Sequence, residues 1–183
     1  VKIAKKNGLD VICGTFSQNF LKHEKFDVIH MHEVLEHLPN PIDIIHLVKD
    51  HLNPSGLLCI VSPNDFNPLQ KILTSQGFSN WWVGYEHINY FNLSSLSLLL
   101  KKLGFDILFK TTTFPIELFL LMGDNYIDDK KMGRKIHNKR KNLEFTFLNS
   151  DNEELRRKIY KSFSKLNMGR ELIIIARLTK NEK

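Results

Sequence analysis

One stretch of thirteen residues, Phe26 to Leu38 (FDVIHMHEVLEHL), constrains this chain more than any other. Asp27 precedes an apolar run, Val28 to Met31, that is β-branched and too short for an independent helix, so it reads as a buried parallel strand. His30, His32 and Glu33 gather where that strand ends, and open α/β sheets bind ligands beyond the carboxyl ends of their strands. Glu33, Glu36 and His37 follow at i, i+3 and i+4. A helix over these residues sets all three side chains on one face.

Strand and helix signals alternate on both sides of this stretch. Val1 to Asn7 reads as the end of a helix closed by Gly8, and Leu9 to Cys13 as a short buried strand followed by a Gly14-Thr15 turn. Ser17 to Lys25 is polar and reads as a loop or short helix. Pro39 stops the first helix. Asn40-Pro41 starts the next, whose Ile42, Ile45, Val48, Lys49 and Leu52 fall on one side. Asn53 to Gly56 is a turn signal, and Leu57 to Ser62 an apolar strand ended by Pro63-Asn64. Periodicity fails from Asp65 to Tyr90, which predicts a long irregular binding loop. Leu96, Leu99, Leu100 and Leu103 mark a helix capped by Asn92 or Ser94 and closed by Gly104. Phe105 to Thr113 and Arg170 to Thr179 read as strands around an irregular-to-helical insertion, 115–168. This alternation predicts an α/β fold with a mostly parallel sheet. The length of 183 residues predicts a single domain spanning 1–183.

Composition narrows the setting. The formal charge of +6 favours acidic partners without requiring one. Cys13 and Cys59 each sit in an apolar run and are expected as buried free thiols in a reducing, cytoplasmic compartment. Two cysteines furnish neither a zinc pattern nor a disulfide framework. No apolar run approaches the ~20 residues a bilayer requires, so no membrane span is predicted. The first ten residues lack the apolar core of a signal peptide. The chain opens on Val1 within an apparent helix, so the natural protein is expected to extend upstream.

The ordered motifs Phe26-Asp27-Val28, Val34-Leu35-Glu36-His37, Pro39, Pro41, Pro54-Ser55-Gly56-Leu57-Leu58 and Ser62-Pro63-Asn64 resemble the class I S-adenosylmethionine-dependent methyltransferases. The resemblance continues through His87, Phe91, the Leu-rich segment 96–103 and Gly104-Phe105. It implies a Rossmann-like sheet in the order 3-2-1-4-5-7-6 with the last strand antiparallel. On that map Val11 to Cys13 is strand three, Val28 to Met31 strand four and Leu57 to Ser62 strand five. Phe105 to Thr113 and Glu171 to Leu178 are strands six and seven, with the helical insertion before the last. Strands one and two, with their Gly-rich loop and ribose-binding acid, have no counterpart in this chain. The map therefore predicts an unpaired strand three and an open edge on strand four, where a second copy or another chain could pair.

The resemblance also implies roles. S-adenosylmethionine is the expected cofactor, with Gly14 and Thr15 near its adenine and His30, Met31 and His32 beside it; core packing is the alternative for Met31. Ubiquinone-pathway O-methyltransferases and small-RNA 2′-O-methyltransferases are similar in having Glu-x-x-Glu-His and a later His, which hold a divalent metal. This implies that Glu33, Glu36, His37 and His87 bind Mg²⁺ or Mn²⁺, a donor set suited to such ions. Glu36, His37 and His87 are the expected catalytic groups, with His as a base if no metal binds. Trp81, Trp82 and Tyr85, with Tyr90, read as a substrate wall or as packing of the loop onto the sheet, and Asn64 as a hydrogen-bonding contact to substrate or cofactor or as a simple Asx turn. The insertion is the expected substrate cover, and its basic run Lys130 to Lys141 is either a solvated face or a seat for a phosphorylated or nucleic-acid substrate. The leading expectation is methyl transfer to a hydroxyl or amine of a small molecule such as a sugar or lipid-linked precursor. A metal-dependent RNA methyltransferase and a non-catalytic methyltransferase-like fragment or subunit are the alternatives.

Overall fold

Four strands form an open mixed sheet in the order β1-β2-β4-β3 in the computed structural model, which describes residues 1–17, 21 and 24–179. The elements run α1 (Lys2–Lys6), β1 (Phe26–His32), a 3-10 turn (Leu35–His37), α2 (Pro41–His51), β2 (Leu52–Pro63) and α3 (Pro68–Ser75). They continue through α4 (Leu93–Lys102), β3 (Phe105–Thr112), α5 (Glu117–Leu121), α6 (Lys130–Asn149), α7 (Glu153–Lys165) and β4 (Glu171–Leu178). β1 and β2 are parallel, and β4 lies antiparallel to both β2 and β3. This order matches the 4-5-7-6 portion of the Rossmann-like sheet that the resemblance implies, with the reversed last strand in its expected place. Most of the segment 17–25, read above as a loop or short helix, lies outside the described residues.

The period of two along each strand sorts the side chains by face. Met31, Leu58, Ile60, Leu172, Ile174 and Ala176 point to one face, where Ile45 and Val48 of α2 and Leu96 and Leu100 of α4 cover them. Each fully buried side chain of this size contributes about 1.5–3 kcal/mol. Asn92 caps α4 through a box with Ser95, which fixes where that helix meets the sheet. Val28, His30 and His32 of β1 point to the opposite face and are exposed. A smaller core of Phe114, Phe119 and Ile136 joins the insertion's helices to the end of β3.

Four expectations are corrected. Leu9 to Cys13 is not a strand and Cys13 is exposed, while Cys59 is half-buried; an extended segment becomes a strand only against a ladder partner, and no strand flanks β1 on that side among the described residues. The Glu33–His37 helix is reduced to the 3-10 turn, because Glu33 takes a left-handed φ of 53° and donates its N–H to the Val61 carbonyl at 3.0 Å, extending the sheet ladder by one residue. Residues 53–56 belong to β2 rather than to a separate turn. Within the supposedly irregular 65–90 lies α3, capped by Asn67 and Gln70 with Pro68 in its first turn. Among the described residues no helix is long and apolar enough to cross a membrane.

Candidate active site

β1 and β2 run in register up to His32 and Val61, so their carboxyl ends open at one place. The chain leaving β1 tucks Leu35 into the core and turns Glu36 inward until its side chain is fully buried. Ser62, near the end of β2, donates its hydroxyl to Glu36 Oε2 at 2.9 Å. The backbone carbonyl of Glu36 accepts N–H bonds from Ile88 and Asn89 at 2.9 and 3.0 Å. Asn89 adds side-chain bonds to the Leu35 and Leu38 carbonyls, so the 84–90 loop is stapled to the 3-10 turn. That staple is what carries His87 to Glu36 from fifty-one positions away along the chain.

The staple also fixes His37. Its Nδ1 lies 2.9 Å from the Glu86 carbonyl oxygen, which only accepts, so Nδ1 holds a proton. In the neutral ring Nε2 is then a lone pair, and it lies 3.7 Å from Glu36 Oε1. Glu36 Oε1 and His87 Nδ1 are both buried without a hydrogen-bond partner among the described residues. The His37 and His87 rings meet edge to face at 4.8 Å, and one donor atom from each of Glu36, His37 and His87 lies within 4.8 Å of the others. A carboxylate oxygen and an imidazole lone pair repel unless a proton or a cation stands between them. This O,N,N set, with Ser62 and the Glu86 carbonyl orienting the ligands from behind, fits a divalent cation. His37 is exposed, so the cluster opens to solvent.

A second group of buried polar atoms lies beyond the end of β2. Asp65 is 1% exposed, and neither carboxyl oxygen has a partner among the described residues. Burial pushes its pKa up to about 7; Arg170 opposes the rise, and Glu36, Glu33 and Glu117 add to it. Glu117 Oε1 accepts from Asn67 and Gln70 at 3.2 and 3.4 Å, while its Oε2, the Tyr126 hydroxyl and the Trp82 indole N–H are buried and without a partner among the described residues. Asp65, Glu117, Tyr126 and Arg170 were not singled out from the sequence. An acid directly after an apolar strand was the one local signal for Asp65; the other three come together only through folding.

The remaining expected site residues scatter. Glu33, turned away by its left-handed backbone, lies instead with His32 and Glu171; partial burial raises its pKa, and Glu36 adds to the rise. Met31 packs in the core, as strand alternation requires once His30 and His32 face the other side. The His30 and His32 rings are 5.8 Å apart on that exposed face, and Gly14 and Thr15 lie exposed in the segment before β1. Trp81 and Trp82 meet edge to face at 4.7 Å, but Tyr85 is 95% exposed and stands outside any wall. Phe66 takes that place, 6.0 Å from Trp82 and 5.8 Å from Tyr90. Asn64 is fully buried and its amide is spent on protein: Nδ2 donates to the Asn167 and Gly169 carbonyls at 3.1 Å, and Oδ1 accepts from the Leu93 N–H at 3.2 Å. It is a structural staple rather than a substrate contact.

Comparison with known proteins adds three findings. A family model described as a methyltransferase domain matches residues 3–109. Ubiquinone biosynthesis O-methyltransferases of Actinobacillus pleuropneumoniae serotype 5b (strain L20) and Glaesserella parasuis serovar 5 (strain SH0165) are 41% identical over 64 residues and 47% over 53. Those alignments take in 31% and 26% of this chain but only 27% and 22% of the relatives, about a quarter of their length. Among solved structures, the Galdieria sulphuraria protein assigned as a sarcosine dimethylglycine methyltransferase is similar with a TM-score of 0.52 and 15% identity, covering 98% of this chain and 64% of that one. The cyclase SpnF is similar at 0.51 and 18%, covering 97% and 60%. At these identities the likeness is one of fold, and a fold shared with a cyclase does not set the reaction.

Proposed function

This chain belongs to the methyltransferase-domain family, and from that premise we propose that it forms the acceptor-facing part of an S-adenosylmethionine-dependent methyltransferase that methylates a hydroxyl of a small molecule. The observation that carries the reading is the convergence of Glu36, His37 and His87 on one point at the carboxyl ends of β1 and β2. The local likeness to ubiquinone biosynthesis O-methyltransferases favours oxygen over nitrogen as the acceptor.

In this reading Glu36 offers Oε1 while Ser62 holds its other oxygen, His37 offers Nε2 because Glu86 holds Nδ1, and His87 offers Nδ1. Mg²⁺ or Mn²⁺, when bound, lowers the pKa of an acceptor hydroxyl and so makes its oxygen a better nucleophile. The residues around it position the acceptor, since in-line displacement leaves orientation and proton removal as the protein's tasks. Phe66, Trp82 and Tyr90 bound the acceptor's side with edge-to-face aromatic contacts. Support for the cofactor comes from the family match: Gly14, Thr15, His30 and His32 are exposed and form no cradle for it among the described residues, so no cofactor contact is assigned.

Equilibrium dialysis with labelled S-adenosylmethionine, on the polypeptide that carries this chain, tests the methyl-transfer reading; saturable binding supports it and its absence sinks it. The metal part is tested separately by electron paramagnetic resonance of Mn²⁺. One saturable site, weakened in His87→Ala, is expected, and binding indifferent to that substitution rejects it.

A further inference from the structure

On the far side of the sheet from α2 and α4, a cavity of about 830 Å³ lies between β3 and the helices α6 and α7. Its floor is apolar for a reason visible in the register. One extra residue, Leu108, interrupts the pairing of β3 with β4, so Phe109 faces Ile175 where uninterrupted alternation would have turned it to the core. Leu108 and Phe109 are left 48% and 51% exposed, and Ile173 completes the floor.

Cations surround the floor. Lys110, Arg140, Arg156, Arg157 and Lys161 line the cavity, against a single carboxylate, Glu144. That carboxylate is consumed internally: its Oε1 accepts from Arg140 at 2.9 Å and from the Tyr160 hydroxyl at 2.8 Å. Arg156 and Arg157 share one oxygen of Glu153, at 3.7 and 2.8 Å, and Lys110 and Lys161 have no ion pair among the described residues. Arg156 packs over the Tyr160 ring at 5.7 Å with its Nε buried and unpaired among the described residues. With Arg156 Nε enclosed and without an acceptor among the described residues, and with cations in excess over carboxylates along its lining, the cavity suits an anion held by the accessible terminal nitrogens.

We propose that this cavity binds an amphipathic phosphate, its head on Arg156 and the neighbouring cations and its hydrocarbon part on Leu108, Phe109 and Ile173. Guanidinium forks match phosphate oxygens two at a time, which favours phosphate over a singly charged carboxylate. The volume suits one molecule of ordinary ligand size. The site is independent of the Glu36 cluster and does not rest on methyl transfer.

The test is calorimetric titration of the wild-type chain with monomeric decyl phosphate, inorganic phosphate and decyl maltoside. Decyl phosphate should bind saturably, with inorganic phosphate at least ~30-fold weaker for want of the apolar floor and the neutral detergent weaker still. Arg156→Gln should weaken decyl phosphate ~10-fold or more. Lys161→Gln, at an exposed position that does not threaten folding, should weaken it ~3-fold, and Glu36→Gln should leave it unchanged. Phosphatidic-acid vesicles that compete assign the head group to a bilayer lipid, and failure to compete assigns it to a free molecule; both outcomes support the site. Binding unchanged in Arg156→Gln and Lys161→Gln, binding equalled by inorganic phosphate, or displacement of decyl phosphate by a short single-stranded RNA overturns the proposal.

Discussion

The region around Glu36 and the region around Asp65 are neighbours beyond the ends of β1 and β2, and both bury a carboxylate; they differ in what meets it. Glu36 has Ser62 on one oxygen and two histidines near the other, with its backbone carbonyl pinned by Ile88 and Asn89. Among the described residues Asp65 has no partner on either oxygen, and Glu117, Tyr126 and Trp82 nearby also hold unpaired polar atoms. The first arrangement holds its donor atoms in one geometry, which is what binding a small cation requires. The second stores unfavourable electrostatics, relieved only by a proton or by a ligand that supplies donors.

Substitutions sharpen that contrast. Glu36→Gln should have the largest effect, reducing Mn²⁺ affinity ~100-fold or more with the fold retained, as read by resonance titration and circular dichroism. Asn64→Ala, at the staple between the two regions, should lower stability by about 2–3 kcal/mol in chemical denaturation, because it orphans the Asn167 and Gly169 carbonyls and the Leu93 N–H. Ser62→Ala should weaken Mn²⁺ ~10-fold by freeing the Glu36 carboxylate to rotate; affinity unchanged in that variant would break the claim that Glu36 is positioned rather than merely present.

The Asp65 region predicts a smaller effect with the opposite sign. Its folded-state pKa is raised from the ordinary 3.8 to about 7, so the folded protein keeps a proton that the unfolded chain releases between those values. Stability should therefore fall as pH rises through that window and level off above it. Asp65→Asn should flatten the fall, raising the melting temperature by ~3 °C or more above neutral pH and leaving it little changed near pH 4. A wild-type protein whose stability holds steady across the window would show that something already neutralises Asp65.

Sequence patterns made the strands and the amphipathic helices legible because burial on one face leaves a period that survives in the residue order. Leu57 to Ser62 and Glu171 to Leu178 are observed within or at the strands expected, and Asn92 caps its helix as its position suggested. The exceptions have local causes. Leu9 to Cys13 has the composition of a strand, but a strand also needs a partner, and pairing is not written in composition. Glu33 looked like a third member of the Glu36-His37 face until its positive φ removed it, a backbone state that an acidic residue does not announce. α3 was signalled by Asn67, Pro68 and Gln70 and was hidden by the aromatic, aperiodic residues after it. The resemblance brings His87 to Glu36 and His37, as observed, but the contacts that hold it there, Asn89 and two backbone N–H groups, are encoded in no motif spacing.

Whether Glu36, His37 and His87 form one cation site is decided by Mn²⁺ titration followed by electron paramagnetic resonance on the wild type, His87→Ala and Asp65→Asn. A single saturable site is expected, weakened in His87→Ala and retained in Asp65→Asn. No saturable site in the wild type, or the same affinity in His87→Ala, would contradict that expectation.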